Sequence, residues 1–260
     1  MSATSGTQCP GLATGVNSTD AFGDGCLAVN GIFGTGGRGG VQVDSFGNVI
    51  VADDVNSIIH LINPSTGIMT KLAGLGTTCS GKLDSAGDGC LAATQSLAAG
   101  ERGIGLDPYG NVFLPGYSDH LVRMICRTAS PLCTSAQIGY MEAVAGCSTG
   151  TGVTGTTGLG LDNTLGLKLN AGTCTTSLGE VETPRGVTAD MYGNVYYAGT
   201  ASYRFRVVVG PLTSTYFSGN NPIYAALGVH YPSVTQGYVY NPASPTPSPA
   251  LWVRIRRPAL

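Results

Sequence analysis

The residues of this chain most able to do chemistry are its eight cysteines, at Cys9, Cys26, Cys79, Cys90, Cys126, Cys133, Cys147 and Cys174. No C-x-x-C pair occurs, and the three histidines (His60, His120, His230) are far apart in sequence. A structural zinc site normally shows a close Cys or His pair, so zinc is a poor reading. An even cysteine count in a chain with 40 Gly and few charges reads instead as a disulfide framework formed in an oxidising compartment. That reading also leaves no thiol for nucleophilic catalysis.

Carboxylates come next. Asp20 and Asp24 precede Cys26 with the same spacing that Asp84 and Asp88 have before Cys90. Paired carboxylates on a Gly-rich loop could hold Ca²⁺, but a side-chain-capped turn is the simpler reading, and no cofactor is expected. The histidines do not recur at equivalent positions, so no converging ligand set is visible. No G-x-S-x-G elbow occurs. The Gly/Thr run from Thr149 to Gly160 lacks the strand before it and the helix with Lys after it that phosphate binding requires. It reads as a loop. No catalytic, cofactor or metal residue is assigned, and the reading leans against an enzyme.

Composition narrows the partners. The chain of 260 residues carries 13 Lys+Arg against 15 Asp+Glu, a net charge of −2. That disfavours nucleic acid, which is held first by cationic side chains. Charged residues make up 11%, under half the usual share of roughly 25%. Gly, Ser and Thr are weak helix formers, so a helical protein is not expected. No run of 18 apolar residues occurs, so no spanning helix is expected. Met1–Gly6 has neither the basic start nor the apolar core of a signal peptide. With the disulfide reading, this predicts an extracytoplasmic or secreted chain whose leader lies outside the given sequence. Asn17-Ser18-Thr19 is a glycosylation sequon.

The elements that position these residues follow an internal repeat. Residues 40–53 read GVQVDSFGNVIVAD, residues 103–114 read GIGLDPYGNVFL, and residues 186–198 read GVTADMYGNVYYA. The shared pattern is G-[VI]-x-x-D-x-x-G-N-V-[IFY]. Apolar residues alternate before the Asp, as in a half-buried strand. The Asp (Asp44, Asp107, Asp190) can close a turn onto backbone N–H groups. The Gly (Gly47, Gly110, Gly193) supplies positive φ. Asn48, Asn111 and Asn194 complete the turn, and β-branched and aromatic residues open a second strand. Two further strand-like runs follow each copy: 57–62 and 68–74, 121–126 and 140–146, 203–209 and 212–217. Each unit is thus a meander of four antiparallel strands, the pattern of a propeller blade. The cysteines keep register with these units. Register alone pairs Cys9 with Cys26, Cys79 with Cys90 and Cys147 with Cys174, as clips on the connections, and Cys126 with Cys133 inside the second unit.

The pattern G-V-x-x-D-x-x-G-N-V, followed by a strand, N-P-x-T-G at Asn63–Gly67 and a strand ending A-G, resembles the NHL repeat. The GDGC-LA segments at 23–28 and 87–92 resemble those of secreted bacterial members. The resemblance covers about residues 20–217. The second copy departs from it at Leu114-Pro115-Gly116, and the third at Gly199. It implies an all-β propeller of four-stranded blades, commonly six, used mostly as a binding platform. Here the expectation is about three blades over residues 1–217. Residues 218–260 form an irregular, Pro-rich tail or incomplete fourth blade ending in the basic run 252–257.

Three blades leave two faces open. A fragment of a longer propeller is the preferred explanation, and self-association of partial rings the second. The functional expectation is a non-catalytic extracytoplasmic segment that binds or scaffolds a protein or glycan. The alternative is part of a propeller lyase or hydrolase whose metal ligands lie on other blades. Nine of the twelve Tyr fall at or after Tyr192, and ordinary strand and core positions are the preferred reading for them.

Overall fold

The computed structural model describes residues 6–34, 39–76, 89–97, 103–117, 121–145, 184–199, 204–208 and 223–228. These residues form an all-β structure of three antiparallel sheets. The first sheet is a meander of β1 (Val41–Val43), β2 (Val49–Asp53), β3 (Ile58–Ile62) and β4 (Met69–Gly74) in that order.

The second sheet has five strands. β5 (Cys90–Leu91) pairs with the outer edge of β9 (Tyr140–Ala145), and β8 (Leu121–Ile125), β7 (Val112–Gly116) and β6 (Gly105–Leu106) follow. The third runs β10 (Pro184–Ala189), β11 (Val195–Gly199), β12 (Arg204–Val208) and β13 (Ile223–Gly228).

Two expectations are corrected here. The GDGC-LA segments are more than links between units, because each adds to the outer edge of the sheet that follows it. Cys90 opposes Met141 in β9, and Leu27 forms the corresponding bridge to Ile68 beside β4. Each segment then closes in a short 3-10 turn, at Ala28–Asn30 and Ala92–Thr94. The second correction concerns the third unit. Its fourth strand is β13 rather than the run 212–217, which lies outside the described residues. Gly228 opposes Arg204 in the register that sets Gly74 opposite Ile58, so the strand-ending glycine identifies the true partner.

Side-chain alternation turns the three sheets into a stack. Ile50, Ala52 and Ile59 of the first sheet pack on Ile104, Val112, Leu114, Ile125 and Met141 of the second. The other face of the second sheet, Phe113, Val122, Met124 and Val144, packs on Val187, Ala189, Val195, Tyr197 and Val208 of the third. β7 and β8 are therefore buried on both faces, which explains why their sequences are nearly continuously apolar.

Glycine permits the closest approach between first strands. A Cβ on Gly103 would stand 2.4 Å from the Arg185 carbonyl oxygen, and one on Gly40 would stand 3.1 Å from the Ile104 nitrogen. Thr188 Oγ1 donates to the Leu106 carbonyl (3.2 Å), and the Arg185 guanidinium lies 5.0 Å from the Tyr117 ring centroid.

Disulfides join Cys9 to Cys26 and Cys126 to Cys133. Cys90 is disulfide-bonded as well. Cys79, Cys147 and Cys174 lie outside the described residues, as do His120, His230, Asp84, Asp88, the run 149–160 and the tail 229–260.

Candidate functional site: a rim of repeated turns

The three D-x-x-G-N turns fold alike. In each, the Asp side chain takes three hydrogen bonds from within its own turn. Asp44 Oδ1 accepts from the backbone N–H of Phe46 (3.0 Å) and Asn48 (2.9 Å), and its Oδ2 accepts from Asn48 Nδ2 (2.9 Å). Asp107 repeats this with Tyr109 (3.0 Å), Asn111 (2.9 Å) and Asn111 Nδ2 (2.8 Å). Asp190 does so with Tyr192 (2.9 Å), Asn194 (2.9 Å) and Asn194 Nδ2 (2.8 Å). The Gly amide donates to the Asp carbonyl in every copy. Gly47, Gly110 and Gly193 sit at φ 82°, 89° and 81°, the left-handed conformation that a three-residue hairpin loop needs at its last position.

The turns stand side by side. Arg127, just after β8, donates from Nη1 to Asp44 Oδ2 (3.0 Å) and to the Gly110 carbonyl (2.8 Å), tying the first turn to the second. Asn111 Oδ1 accepts from the amides of Arg127 (2.7 Å) and Thr128 (2.8 Å), so its amide group is bonded on both sides. Tyr109 leans across and donates its hydroxyl to the Met191 carbonyl in the third turn (3.3 Å). Tyr196 caps Asp190 Oδ2 within the third sheet (3.0 Å).

Charge separates the turns. Burial raises the Asp44 pKa, but hydrogen bonds from Asn48, Arg127 and two backbone amides outweigh it, and the carboxyl sits below the usual carboxylate range. At Asp107 the balance falls the other way. Burial raises its pKa, and its hydrogen bonds from Asn111, Tyr109 and Gly110 only partly offset that.

One feature lies outside the sequence pattern. The position two residues after each Asp is aromatic in all three copies: Phe46, Tyr109 and Tyr192. Its own amide is stapled to the Asp carboxylate, so the ring is carried on a fixed backbone. Phe46, Tyr192 and the neighbouring Met191 are exposed, and Tyr109 is half-buried. The signal is present in the repeat alignment, at a position the shared pattern leaves unspecified.

The other candidates fall elsewhere. His60 lies in β3, fully buried beneath the N-terminal segment, its ring edge-on to Phe33 at 5.4 Å between centroids. Burial pushes its pKa down, and Asp53, Asp20 and Asp24 only partly counter this. Asp20 Oδ1 accepts from the amides of Phe22 (2.8 Å) and Asp24 (3.1 Å), while Asp24 accepts from Thr19 Oγ1 and the Lys71 amide. That is the geometry of a capped turn. Among the described residues no group of three or more His, Cys, Asp or Glu is placed to hold a metal ion. No helix among them is long and apolar enough to cross a membrane.

No protein-family model and no curated protein matches the chain. Solved structures do resemble it. An auxiliary nutrient binding protein from Bacteroides ovatus aligns with TM-score 0.43 and 13% identity, over 76% of this chain and 38% of that one. Virginiamycin B lyase from Staphylococcus aureus aligns with TM-score 0.36 and 12% identity, over 72% of this chain and 40% of that one. The chain thus spans under half the length of either. Both likenesses are distant, and neither protein's activity passes to this one.

Proposed function

We propose that this chain is an arc of an NHL-type β-propeller that works outside the cytoplasm as a non-catalytic binding module for a protein or glycan. The observation that carries this reading is the row of turns presenting Phe46, Tyr109 and Tyr192 from neighbouring sheets. A binding surface needs side chains whose backbone does not have to be ordered on contact. The Asp staples supply that order in advance. Aromatic side chains give large contact area for little conformational entropy, and the tyrosines add a polar edge. The disulfides support a location where thiols are oxidised.

The test is a glycan array and a panel of cell-surface proteins probed with the wild-type chain and with the Phe46→Ser/Tyr192→Ser double variant. Both side chains are exposed, so the fold is retained. The reading expects a captured ligand and at least about tenfold weaker binding by the variant, as loss of an interface aromatic gives. Equal binding by the two proteins overturns it.

A further inference from the structure

The three units repeat one strand order and one turn geometry, and they differ in what covers two of their faces. The residue after the repeat glycine faces the preceding sheet. Ile104 and Val187 there are 6% and 9% exposed, whereas Val41 is 62% exposed. Two residues on, Leu106 is half-buried and Ala189 buried, but Val43 is 60% exposed.

The opposite face shows the mirror pattern. Ile50 and Phe113 are fully buried against the following sheet, whereas the equivalent Tyr196 is 37% exposed. Ile59 and Val122 are buried, and the equivalent Phe205 is 49% exposed. The register supports the equivalence, because Ala52 opposes Ile59, Pro115 opposes Val122 and Ala198 opposes Phe205.

The structure also shows what covers such faces. Ile50 and Ile59 of the first sheet cover Ile104, and Phe113 and Val122 of the second cover Val187 and Ala189. A third contact of this kind would set Tyr196 and Phe205 on Val41 and Val43. The repeat glycine gives independent support. Gly40 and Gly103 are each crowded by the next sheet's first strand, within 3.1 Å and 2.4 Å of backbone atoms. Gly186 holds the same position, yet among the described residues a Cβ there would meet only its own sheet's Ala198, at 3.9 Å. Among those residues, no following first strand lies against Gly186.

We propose that two copies of this chain associate head to tail, with the Tyr196/Phe205 face of one seated on the Val41/Val43 face of the other and Gly186 admitting the second copy's β1. The two surfaces are different patches of one polypeptide, so the contact is heterologous. With a net charge of −2 on each copy, long-range repulsion is small.

The experiment is sedimentation velocity on the chain as given, over a concentration series from low micromolar to near millimolar, for wild type, Val41→Asp, Phe205→Asp and Gly186→Ala. Wild type is expected to self-associate with rising concentration. Each aspartate variant is expected to associate about a hundredfold more weakly, because a carboxylate is forced into an apolar contact. An equimolar mixture of Val41→Asp and Phe205→Asp is expected to recover association, since it restores one intact pair of faces. Gly186→Ala is expected to weaken association without moving the thermal midpoint. Circular dichroism melts of all variants separate a lost contact from a lost fold. A wild-type chain that stays monomeric throughout overturns the proposal and assigns the faces to some other occupant. Association that the mixture does not restore overturns the head-to-tail geometry.

Discussion

Exchanging the two members of the second turn's side-chain pair gives the sharpest test of how the turns are held. Asp107 and Asn111 are both buried, and their side chains bond to each other and to the surrounding backbone. Asp107→Asn keeps an oxygen for the Tyr109 and Asn111 amides. It places an NH₂ group where Oδ2 accepted from Asn111 Nδ2 at 2.8 Å. One hydrogen bond is lost, worth about 1 kcal/mol, and two donors now face each other in a buried site, at about 1–3 kcal/mol. Removing the buried charge returns part of this, since burial holds the Asp107 pKa up. The net cost is about 2 kcal/mol, or on the order of 6 °C in thermal midpoint. Asn111→Asp alone sets two carboxylates against each other and costs at least as much. The double swap, Asp107→Asn with Asn111→Asp, is different. The new carboxylate at position 111 would accept from the Arg127 and Thr128 amides, as Asn111 Oδ1 does now at 2.7 and 2.8 Å. It would also accept from the new NH₂ group at position 107. The swap is expected to recover all but about 1 kcal/mol, a coupling well above the ~0.5 kcal/mol scatter of independent sites. Urea denaturation at neutral pH measures all four proteins. If the two single costs simply add in the double swap, the pairing does not hold the turn and the reasoning fails.

Three further outcomes follow from the same contacts. Arg127→Met is expected to cost about 1–3 kcal/mol by leaving the buried Asp44 without its charge partner. Asp44 has a depressed folded pKa, so its contribution is present above the unfolded value of 3.8 and lost as pH falls through the folded one. The variant should therefore unfold at higher pH in an acid titration. Gly103→Ala should cost about 2–3 kcal/mol, because its Cβ meets a backbone carbonyl, whereas Gly186→Ala should stay within about 0.5 kcal/mol in a monomer melt; equal effects would show that the sheet junctions are misassigned. His60 is held neutral by burial, with its folded pKa below the ordinary 6.5. Stability should fall as pH drops from about 6.5 toward that lowered value, and His60→Leu should flatten the thermal midpoint between pH 7 and 5.

Much of the architecture is legible because turn chemistry is local. Asp, Gly and Asn at fixed offsets specify a hairpin loop whatever surrounds it, so the three turns and the strands beside them can be read directly. What the sequence hides depends on distance. The run 212–217 is rich in Thr and aromatic residues and reads as a strand, yet the observed partner Ile223–Gly228 is chosen by its pairing with β12. Cys26 and Cys90 read as clips on connections, since nothing local shows that Leu27 and Cys90 add to a sheet edge. The first glycine of the repeat carries no local signal of its role, which at Gly40 and Gly103 is to admit the neighbouring sheet. The aromatic row is visible in the alignment but carries no meaning until Arg127 and Tyr109 are seen to draw the turns together.

The central claim is that ligand is held on the turn rim, and hydroxyl-radical footprinting of the chain with and without its captured ligand tests it most directly. Aromatic and sulfur side chains report their own solvent access, and this chain offers both on the rim and away from it. The account predicts ligand-dependent protection of Phe46, Met191 and Tyr192, with Phe205, on a sheet face away from the rim, unchanged by ligand. Protection of Phe205 with the rim residues left reactive would contradict it.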